Sequence, residues 1–132
     1  MPCALLVEDE PDDLILIGRR LHDLGLKVFS AGTLDHARAL MISRLTERSD
    51  LPFSIALVDL KLIGSTGNGM DVLRTFRELA PKMPTILVSG YDLSVVLKDA
   101  KEFKFITVAS KDALDNGTLK MILDQHQIER RP

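Results

Sequence analysis

The 132-residue chain has no tryptophan, one tyrosine and one cysteine. A single thiol, Cys3, cannot form an internal disulfide, and its use fits a reducing compartment. It opens an apolar run and reads as a small buried hydrophobe rather than a nucleophile. No apolar stretch reaches the length that spans a bilayer, and the first residues lack the basic region and long apolar core of a secretory signal. The expectation is a cytoplasmic chain. Charge of one sign is missing too: 17 basic residues against 19 acidic ones leave a net charge of −2, so no field favours nucleic acid or an anionic membrane. There is no Gly-x-Gly-x-x-Gly, no Walker-type loop and no Ser-His-Asp order. His22, His36 and His126 fall on three predicted helices without mutual spacing, which argues against a histidine metal cluster. Repeats, low-complexity segments and long linkers are absent as well. One domain over residues 1–132 is expected, long enough for a well-buried core.

What is present is an alternation of short apolar runs and helical patterns. Cys3-Ala-Leu-Leu-Val7 is continuous, as in a strand covered on both faces. Pro11 suits the first turn of a helix, and Asp12 and Asp13 are favourable near its positive end. Leu14, Ile17, Leu21 and Leu24 recur at helical spacing until Gly25 stops them. Residues 26–30 read as a second strand, and Thr33 as the cap of a helix that buries Ala37, Leu40, Met41 and Leu45. The third strand, over residues 54–58, leads to a Gly-rich loop and a helix from about Gly69 to Ala80. Thr85–Val88 and Phe105–Ala109 are further strands. A helix marked by Leu93, Val96, Leu97, Ala100 and Phe103 separates them, and a last helix runs from about Asp115. Strands alternating with helices of this length indicate an α/β fold, a parallel sheet with helices on both faces.

In such a sheet every strand ends at the same edge, where ligands bind. Glu8 and Asp9 follow the first strand, Asp59 ends the third, Ser89 the fourth, and Lys111 follows the fifth. Carboxylates gathered there repel one another unless a cation is present, and a hard divalent ion such as Mg²⁺ is suited to them. A carboxylate nucleophile, a cation site, an ammonium and a hydroxyl around one void are the parts needed to accept a phosphoryl group.

On these residues the chain resembles a CheY-like response-regulator receiver domain of two-component signalling, over essentially its whole length. The resemblance implies a three-layer, flavodoxin-like fold: a five-stranded parallel sheet in the order 2-1-3-4-5 with five helices. It implies that Asp59 is the phosphoacceptor, that Glu8, Asp9, Asp59 and the backbone carbonyl of Lys61 hold Mg²⁺, and that Ser89 and Lys111 bind the phosphoryl group. A sensor histidine kinase or histidine phosphotransfer protein would be the donor. Output would pass through a downstream protein or a self-dimer, using the surface of the helix over 93–103, the fifth strand and the last helix. Direct nucleic-acid binding and membrane attachment are not expected. Since only a few residues follow the last helix, a stand-alone regulator without an output domain is expected, one that catalyses only its own phosphoryl transfer and dephosphorylation.

The chain departs from the family pattern at several points. Lys111 is followed by Asp112 where the family often has proline. Asn68-Gly69-Met70 enters the third helix about two residues late. The position three before the lysine, often aromatic, is Val108. Tyr91 and Lys61, each two residues beyond a site residue, are candidate modulators of phosphate lifetime, Tyr91 as a shield of the acyl phosphate. Two rivals belong to other classes. One is a pseudo-receiver that binds proteins without phosphorylation. The other is a haloacid-dehalogenase-type phosphatase, which would need an acid two residues after the nucleophile, where Lys61 stands.

Overall fold

A computed structural model describes residues 2–47, 51–59, 69–89, 105–111, 114–126 and 128. Five strands, β1 (Cys3–Val7), β2 (Lys27–Ala31), β3 (Ile55–Asp59), β4 (Thr85–Ser89) and β5 (Ile106–Ser110), form one parallel sheet in the order β2-β1-β3-β4-β5. The described helices are α1 (Pro11–Asp23), α2 (Leu34–Glu47), α3 (Gly69–Leu79) and α4 (Asn116–Gln125). The helix expected over 93–103 lies outside the described residues. β2, β3 and β5 each sit one residue later than the apolar runs suggested, and β4 runs one residue further, because β-ladder pairing, and not side-chain polarity, sets where a strand ends.

Side chains of a strand point alternately to the two faces, and here both faces are covered. Leu5, Val7, Ala56, Val58 and Leu87 pack with Ala37 and Met41 of α2 and Val72, Leu73 and Phe76 of α3. Ala4, Leu6, Ile55, Leu57, Ile86 and Val88 pack on the other face, with Ile17 and Leu21 of α1 and Leu119, Ile122 and Leu123 of α4. This explains why the central strands carry no polar alternation. Cys3 is buried within the first of these cores.

The helix ends follow their local chemistry. The Glu10 carboxylate caps α1 by accepting from the Asp12 N–H, and Pro11 occupies the first turn. Gly25 adopts φ 89° just past the end of α1, a left-handed conformation that glycine takes without a Cβ clash. Thr33 Oγ1 accepts from the His36 N–H at the start of α2, and Asp115 caps α4 through the Thr118 N–H. Among the described residues, no helix is long and apolar enough to cross a membrane.

Candidate functional site

Strand register brings the acids together. Val7 of β1 lies opposite Val58 of β3, so the next residue on each strand is an acid, Glu8 beside Asp59. On the other side, Asp59 pairs with Val88 of β4, and Ser89 pairs with Ser110 of β5, which sets Lys111 just past the sheet edge. The Glu8 N–H donates to Ala31 O at 2.9 Å, carrying the β1–β2 ladder one residue beyond the strand. The Glu8 carboxylate accepts from the Glu10 N–H at 3.0 Å, which fixes the turn into α1.

Glu8 and Asp59 are nearly inaccessible, at 2% and 4% exposure, in a core that is otherwise almost wholly apolar. Burial, reinforced by the hydrogen bond and charge of Asp59, pushes the Glu8 carboxyl up to about 7, although the Glu10 N–H and Lys111 act in the opposite direction. Lys111 supplies the described positive charge at the site. Its Nζ lies 3.0 Å from Asp59 Oδ2, 2.9 Å from Asp13 Oδ2 and 3.6 Å from Glu8 Oε2. Burial works against the charged form of Lys111, but its hydrogen bonds to Asp13 and Asp59 and the nearby carboxylate charges hold its pKa above that of an ordinary lysine.

One ammonium does not balance this much negative charge. Carboxylate oxygens of Glu8, Asp9 and Asp59 all lie within 4.8 Å of one another. That all-oxygen set suits a hard divalent cation such as Mg²⁺, which commonly uses one or two carboxylates and retains water. Three carboxylates with one ammonium beside them therefore fit a cation.

Of the expected site residues, Glu8, Asp9, Asp59 and Lys111 converge. The carbonyl of Lys61 and the side chain of Tyr91 lie outside the described residues. Ser89 is described as the last residue of β4, at the site edge, but its side chain is outside the described set. Val108, at the position often aromatic, is partly buried against the core shared by α2 and α3. Asp13 was not singled out in the sequence beyond its favourable place in the first turn of α1. Its place in the first turn of the helix that leaves the site edge was the available signal.

No protein-family model matches the chain. It is 29% identical over 107 residues to the response regulator protein PilR of Pseudomonas aeruginosa, an alignment covering 79% of this chain and 22% of that protein. It is 30% identical over 90 residues to the photosynthetic apparatus regulatory protein RegA of Rhodovulum sulfidophilum, covering 68% and 44%. The chain thus spans less than half the length of these curated relatives. Among solved structures, the receiver domain of NtrX from Brucella abortus superposes with a TM-score of 0.76 at 21% identity, over 93% of this chain and 96% of that one. That match establishes a common fold, and the sequence similarity runs to response regulators: the chain is a receiver domain of the response-regulator kind.

Proposed function

We propose that the chain accepts a phosphoryl group on Asp59 and signals by protein contacts. The observation that carries this reading is the placing of Asp59. Its buried carboxylate lies within 4.8 Å of the oxygens of Glu8 and Asp9 and 3.0 Å from the Lys111 ammonium. In the reaction, an Asp59 oxygen attacks phosphorus while the bond to the donor breaks, and the leaving atom keeps the electron pair. The donor class is a phosphohistidine on a sensor kinase or phosphotransfer protein. Lys111 exchanges its hydrogen bond with Asp59 for one with a phosphoryl oxygen, and Ser89 offers a hydroxyl from the end of β4. Mg²⁺ held by Glu8, Asp9 and Asp59, with the Lys61 carbonyl, would supply positive charge to the phosphoryl oxygens. Attack by water on the acyl phosphate later releases inorganic phosphate and restores the carboxylate. The chain acts on no other substrate and works in the cytoplasm.

The test is the intact mass of the protein after incubation with Mg²⁺ and acetyl phosphate, beside Asp59→Asn. One phosphoryl addition to the parent, absent from the variant and blocked by chelation, is expected. No addition to the parent, with acetyl phosphate or with several histidine kinases as donors, overturns the reading in favour of a binding module independent of phosphorylation.

A further inference from the structure

Lys111 has two close acceptors, and they lie on different elements. Asp59, at the end of β3, is 3.0 Å from Nζ, and Asp13, in the first turn of α1, is 2.9 Å away. Glu8 is farther, at 3.6 Å. A lysine ammonium has three N–H bonds to distribute. Here the ammonium sits closer to Asp13 than to Glu8, which is 2% exposed.

We infer that Asp13 is a positioning residue: by holding the Lys111 ammonium on the α1 side, it keeps the Glu8–Asp9–Asp59 carboxylates open to a cation. This inference rests on the reading of Glu8, Asp9 and Asp59 as the cation site. Without Asp13, the ammonium's near partners among the described residues are Glu8 and Asp59, and it settles between them as an internal counter-ion. A divalent cation then has to displace it. The Asp13 side chain is about one-third exposed and belongs to α1, not to the strand that carries Asp59.

Simple loss of negative charge near the site would also weaken cation binding, so the test must separate the two effects. Mg²⁺ affinity is measured by titration calorimetry on the parent, Asp13→Asn, Lys111→Met and the double variant, with circular dichroism confirming that each is folded. Calorimetry reads binding without any phosphorylation. If Asp13 acts through Lys111, Asp13→Asn weakens Mg²⁺ binding about fivefold in the parent background, the scale of a partly exposed ion pair. It changes binding less than about twofold when Lys111 is already methionine, as a double-mutant cycle requires of two coupled residues. An equal loss in both backgrounds, or no loss in the parent, overturns the inference. Mg²⁺ binding by the parent that survives Asp59→Asn and Glu8→Gln unchanged overturns the cation site itself, and the inference with it.

Discussion

Replacing Glu8 by glutamine in the metal-free protein is expected to stabilise it, and by an amount that depends on pH. Burial first, and the neighbouring Asp59 second, raise this carboxyl from 4.5 to about 7. Between those two values the folded protein holds a proton that the unfolded chain releases. Folding is therefore favoured below pH 4.5, and this contribution is lost as pH rises through about 7. A carboxyl displaced this far costs about 3 kcal/mol of stability once it is ionised in both states. Glutamine keeps the shape and the acceptor for the Glu10 N–H but cannot ionise. In excess EDTA, Glu8→Gln should then exceed the parent in stability by about 2–3 kcal/mol at pH 8 and match it near pH 5. Urea unfolding of both proteins at the two pH values measures this, since titrating groups remote from Glu8 cancel in the difference. Added Mg²⁺ should stabilise the parent and leave Glu8→Gln nearly unmoved. A stability difference that is the same at pH 5 and pH 8 would refute the reasoning, because burial of an ionised Glu8 would then cost nothing.

Three further outcomes are expected. Phe76 of α3 is wholly buried in the core against the sheet, so Phe76→Ala should cost about 4 kcal/mol in urea unfolding; a loss below about 1 kcal/mol would mean that α3 is not packed as described. Phe105, before β5, has φ 64° and an exposed side chain, so Phe105→Asn should relieve about 1 kcal/mol of backbone strain, read as a raised denaturation midpoint. His126, at the end of α4, lies 3.1 Å from Thr107 Oγ1 on β5, and burial lowers its pKa. Its neutral form favours folding above the ordinary value of 6.5, and that contribution is lost as pH falls below it. The melting temperature of His126→Gln should therefore fall less than that of the parent between pH 7 and pH 5.

The sequence alone determined the layers and the order of the site residues along the chain. The uninterrupted runs Cys3–Val7, Ile55–Val58 and Thr85–Val88 have no polar face and fit only strands covered on both sides. The helical spacing of Leu14, Ile17 and Leu21, and of Ala37 and Met41, identified faces that cover them. Acids after the first and third runs and a lysine after the fifth then had to share one edge, because parallel strands all end on the same side.

Only the tertiary structure decided how those charges are shared. Whether Lys111 meets Asp59, Glu8 or Asp13 depends on strand register and on the entry angle of α1. Both are set by packing across nearly one hundred residues of chain, and neither leaves a local pattern. The same is true of Glu8, whose displaced pKa comes from its burial beside Asp59, a consequence of pairing Val7 with Val58. Capping by Glu10 makes the point on a smaller scale. Pro11 announces that a helix begins, but only the folded turn shows that the Glu10 carboxylate accepts from the Asp12 N–H while its own N–H donates to Glu8. Local sequence chooses the elements, whereas the distances that make a site are differences between elements and exist only once they are packed together.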